Sequence, residues 1–350
     1  MHIGLYTDPH ISMVSSIIVG KQGNQEFSGR LQNLVDSFKW MNNLFKEHCC
    51  EKIFCLGDMT DKPNLTAEEI TALSRCNVQE HNLIIGNHCR ADKDGMISSL
   101  SLFKNIYYEP TVIPIPKDNG GYYNIFILPY NSDIRDLTPY KTPPFDLILS
   151  HNDIKGYDFG GHISESGYEL SDILQACNLF INGHLHNGGW LVKDRIINLG
   201  VLSGVNFASC NGEWEPSVAI LDTETGKLEL FENPIAYKFK KLEVLTLPKL
   251  KAYLDNLPGT NYVIQVKVPE DIAQTARKVL DQSSKVSFSR VLTQRNTNKE
   301  NQESTRDIIT TTSSVYQKLR EFITSKNPKE YSHDKLEEII NKIEKEEGVD

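Results

Sequence analysis

The chain has no Cys-x-x-Cys pair. Its seven cysteines include one adjacent pair, Cys49-Cys50, and an odd total, which argues against a disulfide framework or a zinc knuckle and for reduced, mostly buried thiols. No apolar run approaches the roughly 20 residues of a membrane span, and no basic leader precedes the first strand, so a cytoplasmic protein without a membrane partner is expected. An excess of positive charge is also missing: 37 Lys and Arg against 46 Asp and Glu leave a net charge of −9. Phosphate backbones are gripped by clustered Lys and Arg. Nucleic acid stays open all the same, because two divalent ions would add about four positive charges inside a site. Residues 293–312 have almost no apolar side chains and cannot repay ordering entropy by burial, so they read as a linker.

What is present is an ordinary soluble composition over 350 residues, 39% hydrophobic and 24% charged. That is long enough for a large core plus one or two appended modules. Five fragments in the first half each close a predicted strand on a metal-binding residue type: Asp8-Pro9-His10, Gly57-Asp58-Met59-Thr60-Asp61, Gly86-Asn87-His88, Ser150-His151 and Gly183-His184-Leu185-His186. The runs before them, 2–7, 52–56, 82–85, 146–149 and 178–182, are short and rich in Ile, Leu and Phe, the pattern of strands buried on both faces. One carboxylate or imidazole after a strand is often a cap or a satisfied core group. Five at carboxyl ends of strands, where open α/β sheets form their sites, supply donors for two metal ions.

Leu31, Leu34, Phe38, Met41 and Phe45 fall at helical spacing over 30–48, a face that packs on a sheet. Thr66 and Glu69 have capping-box spacing for a second helix. Further strands are expected at 123–128, 195–199 and 217–221, with a turn at 222–226 leading into 227–231. The alternation fits two packed sheets flanked by helices. Beyond Pro234, residues 239–245, 247–256, 261–268, 271–282 and 285–292 alternate as a small β-α-β-α-β unit. After the linker come two amphipathic segments, one with Val315, Leu319, Phe322 and Ile323, the other with Leu336, Ile339, Ile340 and Ile343. They either fold back or dock a partner helix or coiled coil.

The order Asp-x-His, Gly-Asp-x-x-Asp, Gly-Asn-His, His, Gly-His-x-His resembles the calcineurin-like metallophosphoesterase superfamily over about residues 1–235. Several features resemble in particular the DNA-repair nuclease subunits called SbcD and Mre-eleven, short phage versions included. These are Arg30-x5-Asp36-x-Phe38, Leu128-Pro129-Tyr130, Gly183-His-Leu-His-Asn187, Ile196-Ile-Asn-Leu-Gly200 and Ser203. The resemblance implies an α/β fold, a two-sheet β-sandwich flanked by helices, with a small α/β cap domain and a helical C-terminal arm. The domains would be a catalytic domain 1–235, a DNA-binding cap 236–292, the linker 293–312 and a partner-docking arm 313–350. It further implies one divalent ion on Asp8, His10, Asp58 and His186, and a second on Asp58, Asn87, His151 and His184. Asp58 would bridge them, and mixed N and O donors suit manganese or iron. His88 would stay off the metals as a catalytic group. The residue after it, usually acidic, is here Cys89. Asp61 matches a position near substrate or behind a ligand, and is equally readable as an N-cap.

The expected function is then a two-metal DNA exo/endonuclease subunit, a homodimer by family habit, with an SbcC-type coiled-coil ABC ATPase as partner. A stand-alone phosphodiesterase for nucleotides or small phosphoesters is the alternative, and a scaffold with a decayed site is a third. His162, between two ligand strands, belongs to loop structure or touches substrate. His2, His48, His81 and His333 are expected to be structural or solvated. Lys238, Lys240, Lys241 and Lys278 would touch a nucleic-acid backbone or form a solvated face.

Overall fold

The computed structural model describes residues 1–13, 25–92, 97–101, 103–118, 120–135, 144–157, 163–207 and 214–294. Met1–Gln294 pack as one compact unit. Residues 295–350, with the rest of the expected linker and all of the arm, lie outside the described residues, as do His162 and His333; Thr293 and Gln294, expected in the linker, end the last strand instead.

Two six-stranded sheets make a sandwich. The first holds β1 (His2–Tyr6), β2 (Cys50–Cys55), β3 (Asn82–Ile84) and β4 (Ile106–Tyr107) in parallel. Its other side is closed by β11 (Ser217–Asp222) and β12 (Leu228–Glu232) in antiparallel register, Ile3 opposite Leu221. The second runs in the order β5 (Thr111–Pro116), β6 (Tyr122–Leu128), β7 (Phe145–Ser150), β8 (Cys177–Asn182), β10 (Ile196–Asn198) and β9 (Gly189–Val192). Its inner strands are parallel, and its edge strands β5 and β9 are antiparallel.

Alternation along these strands builds three cores. Ile3 and Leu5 of β1 meet Ile125, Ile127, Leu147, Leu149 and Ile181 between the sheets. Tyr6 and Cys55 turn the other way, onto α1 (Gly29–Glu47), whose Leu31, Leu34, Phe38, Met41 and Phe45 are all buried. Phe126, Ile148 and Phe180 face outward under α3 (Leu170–Ala176) with Ile173. The period of two in a strand and near four in a helix produces this layering. The capping box of α2 (Ala67–Arg75) forms: Thr66 Oγ1 accepts from Glu69 N at 3.3 Å, and Glu69 Oε2 accepts from Thr66 N at 2.7 Å. Strands β4, β5 and β9 and helix α3 were not expected. In β5, Pro114 and Pro116 obscure the strand pattern, and an edge position tolerates them.

A third, parallel sheet follows: β13 (Lys238–Glu243), β14 (Tyr262–Pro269) and β15 (Val286–Gln294), crossed by α4 (Leu247–Asp255) and α5 (Ala273–Asp281). It has its own core of Leu250, Leu254, Ile264, Val266 and Leu280. Phe239 and Val263 pack with Phe207 on its other face. Among the described residues no helix is long and apolar enough to cross a membrane.

Candidate metal centre

Every one of the five fragments emerges from the carboxyl end of a strand: after β1, β2 and β3 of the first sheet, and after β7 and β8 of the second. The loops interlock. Asp8 N donates to Gly57 O at 3.2 Å, His10 N to Asp58 O at 3.0 Å, and Gly183 N to Ser150 O at 2.9 Å. Four site residues take left-handed backbone, Asp8 (φ 50°), His10 (47°), Asp58 (44°) and His184 (72°). That region costs a side chain on the order of 1 kcal/mol or more, a strain typical of functional sites. Two glycines make room. A Cβ on Gly57 (φ 115°) would sit 2.0 Å from His151 Nδ1, and one on Gly86 would sit 2.2 Å from Asp58 Oδ1.

Seven side chains fall into two groups. In the first, Asp8, His10 and His186 bring donor atoms within 4.8 Å of one another. Asp8 Oδ2 is occupied by Thr7 Oγ1 and by His184 N at 3.0 Å. Asp8 Oδ1 is buried with no hydrogen-bond partner. It lies 3.5 Å from His10 Nε2 and 3.7 Å from His186 Nε2, which are themselves 2.8 Å apart. An orphaned carboxylate oxygen facing two converging imidazoles is a donor set that fits a cation.

The second group is Asp58, His151 and His184, joined by Asn87. Asn87 Oδ1 lies 3.3 Å from His151 Nε2 and 3.1 Å from His184 Nδ1. His151 Nδ1 donates to Leu56 O at 2.6 Å, so Nε2 is the ring nitrogen that faces Asp58 Oδ2, at 3.2 Å. The same Oδ2 is 3.8 Å from His10 Nε2 in the first group. Because Asp58 Oδ1 accepts from His88 N at 2.9 Å, Oδ2 is the oxygen it offers to both groups.

Behind the first group stands Asp61, whose Oδ1 is 3.2 Å from His10 Nδ1. Its main-chain oxygen accepts from His88 Nδ1 at 3.0 Å. Asp61 therefore holds two rings from behind. The pairing turns His10 Nε2 toward Asp8 and leaves His88 Nε2 free of that bond.

Burial works against every charge here, and for all of these groups but His186 the mutual pairing outweighs it. Asp8, Asp58 and Asp61 are held below the usual carboxylate range, mainly by His151 for the first two and by His10 for Asp61. His10 is pushed down by burial but raised overall to about 9 by Asp61, Asp8 and Asp58. Burial and then His10 lower His186 to about 4.

His2 and His81 are structural: His2 Nδ1 donates to His48 O at 2.7 Å, and His81 Nδ1 pairs with Tyr6 OH at 3.1 Å. Lys238 pairs with Glu232, and Lys240 with Glu215 at 2.8 Å, so neither is a free cation. Two contributors were missed in the sequence. Buried Arg30 donates to the carbonyls of Pro9 and His10, both at 3.2 Å, and of Gly204 at 2.8 Å, bracing the first ligand loop. Asp153 Oδ1 lies 3.4 Å from His184 Nε2. Arg30 was singled out only as part of a resemblance, and nothing marked Asp153 beyond standing two places after His151.

No protein-family model matches the chain, and no curated protein does. Among solved structures it is similar to the calcineurin-like phosphoesterase YfkN from Bacillus subtilis, at a TM-score of 0.36 and 11% identity over 66% of this chain and 88% of that one. It is also similar to the E. coli phosphoesterase Yfce, at 0.32 and 15% over 67% and 100%. A third is the NAD nucleotidase NadN of Haemophilus influenzae, at 0.33 and 13% over 81% and 59%. At such identities and scores the chemistry has to be read from the site itself.

Proposed function

We propose that this chain is a metal-dependent phosphodiesterase of the calcineurin-like metallophosphoesterase superfamily, acting on DNA in the manner of the SbcD and Mre-eleven nuclease subunits. The observation that carries the reading is the pair of donor sets sharing Asp58 Oδ2: Asp8, His10 and His186 on one side, Asn87, His151 and His184 on the other. Two divalent cations, when bound, supply a nucleophile at neutral pH and relieve negative charge on the phosphoryl oxygens. Oxygen and nitrogen donors without thiolate suit manganese or iron. Cys89 is buried, and its Sγ points to Thr60 O at 3.6 Å.

Hydrolysis forms one P–O bond to water oxygen and breaks the ester P–O bond, with one proton passing to the leaving oxygen. His88 is the residue for that proton. It is 42% exposed, its Nδ1 is engaged with Asp61 O, and its Nε2 remains for substrate. The DNA assignment is supported by the sequence features shared with SbcD and Mre-eleven. On the same ground, residues 313–350 dock an SbcC-type coiled-coil ABC ATPase, and the subunit pairs as a homodimer.

The test is incubation of the chain with manganese and end-labelled duplex and single-stranded DNA, beside His88→Gln and Asn87→Ala. Cleavage by the parent, reduced about 100-fold or more in His88→Gln, is the expected result. Turnover of bis-p-nitrophenyl phosphate without any DNA cleavage, even with an ATPase partner present, would replace the nuclease reading by a stand-alone phosphodiesterase. Parent-like rates in both variants would remove the assigned centre altogether.

A further inference from the structure

We propose that Asp153 is a positioning residue that fixes the tautomer of His184 and so completes the second donor set. The inference rests on the two-metal reading above. Both ring nitrogens of His184 face atoms that can only accept: Nδ1 lies 3.1 Å from Asn87 Oδ1, and Nε2 lies 3.4 Å from Asp153 Oδ1. A neutral imidazole has a single hydrogen to give. A carboxylate is the stronger acceptor, because a hydrogen bond to an ionised group is roughly twice as strong as one to a neutral amide. The hydrogen therefore resides on Nε2, and the Nδ1 lone pair faces Asn87 and the side on which Asp58 and His151 converge.

His184 needs such a partner. It sits in left-handed backbone in the loop after β8. His151 is held from behind by the carbonyl of Leu56 and His10 by Asp61. Asp153 plays this part for His184, and it approaches the ring from the side away from Asn87, so it is not itself one of the converging donors. Its own main chain is pinned: Tyr168 N donates to Asp153 O at 2.9 Å, and Lys155 N to Tyr168 O at 3.0 Å. Imidazole ligands are commonly oriented through the second nitrogen in this way.

The decisive measurement is the ring-nitrogen shift pattern of His184 in metal-free, 15N-labelled protein at mildly alkaline pH, assigned with His184→Gln. The parent should show the Nε2–H tautomer. Asp153→Ala should move it toward Nδ1–H, bonded to Asn87, and Asp153→Asn, which keeps an acceptor, should restore much of the parent pattern. Asp153 is one-third exposed, and both variants should melt like the parent. In a manganese titration, Asp153→Ala should weaken one of two binding steps by about 10- to 100-fold and spare the other. An unchanged tautomer in Asp153→Ala, or two unchanged binding steps, would overturn the proposal. A shifted tautomer with no manganese uptake by the parent would leave the role of Asp153 standing and remove the two-metal reading instead.

Discussion

His10 holds a proton where the proposed function places a cation, and that exchange can be measured. The side chain is 1% exposed, with Asp61, Asp8 and Asp58 at 3.2, 3.5 and 3.8 Å. Burial would lower its pKa, but the three carboxylates raise it to about 9. At pH 7 the metal-free ring is then about 99% protonated, and a cation can use its Nε2 only by expelling that proton. Manganese uptake should release about one proton through His10 at pH 7 and about half a proton at pH 9, with affinity rising roughly 50-fold between the two. His151, lowered by burial but raised overall by Asp58 and Asp8, adds release of the same sign. Calorimetric titrations in buffers of different ionisation enthalpy read the proton count directly, and His10→Gln should remove its share. Stability follows the same logic. A group raised from 6.5 to about 9 on folding stabilises the metal-free protein fully below 6.5, and that contribution fades as pH rises through 9. The metal-free melting temperature should fall over that interval, and the manganese-loaded one should hold. Binding heats independent of buffer, with an affinity flat from pH 7 to 9, would refute the reasoning.

Two further substitutions test the scaffold. Gly86→Ala puts a methyl 2.2 Å from Asp58 Oδ1 and 2.5 Å from Asp58 N. The main-chain nitrogen cannot swing aside, so the change should cost about 1–3 kcal/mol in denaturant melts and weaken manganese binding, and parent-like values for both would contradict the geometry. Leu149→Ala, in the core between the sheets, should cost about 2–5 kcal/mol in urea, and a cost under about 1 kcal/mol would mean that β7 is not packed as described.

The candidate ligand fragments could be read in the sequence because each follows a short apolar run, and strand ends in α/β sheets are where side chains meet. Chain order placed Asp8, Asp58 and Asn87 on successive parallel strands of one sheet, and His151 and His184 on adjacent strands of the other. Contacts between distant segments could not be read. Nothing local in Ser217–Asp222 says that β11 slots against β1, with Ala219 opposite Leu5. The edge strands were hidden by Pro114 and Pro116 in β5 and by the shortness of β9. Asp153 and His184 are 31 positions apart, and only the pairing of β7 with β8 brings their loops together. Local pattern reports what a segment buries, whereas orienting partners depend on which loops the sheet order makes neighbours.

Cys89 illustrates the same point in reverse. The resemblance leads one to expect an acid directly after Gly86-Asn87-His88, and its replacement by a thiol looks like a loss. The thiol is fully buried and raised to about 12, by burial first and then by Asp58, so it is neutral and chemically quiet. Asp61 does the work an adjacent acid would do, and does it twice: its main-chain oxygen takes the Nδ1 hydrogen of His88 at 3.0 Å, and its carboxylate faces His10 Nδ1 at 3.2 Å and His88 Nδ1 at 3.6 Å. An acid next in sequence would orient His88 alone. One next in space couples His88 to a residue of the first donor set.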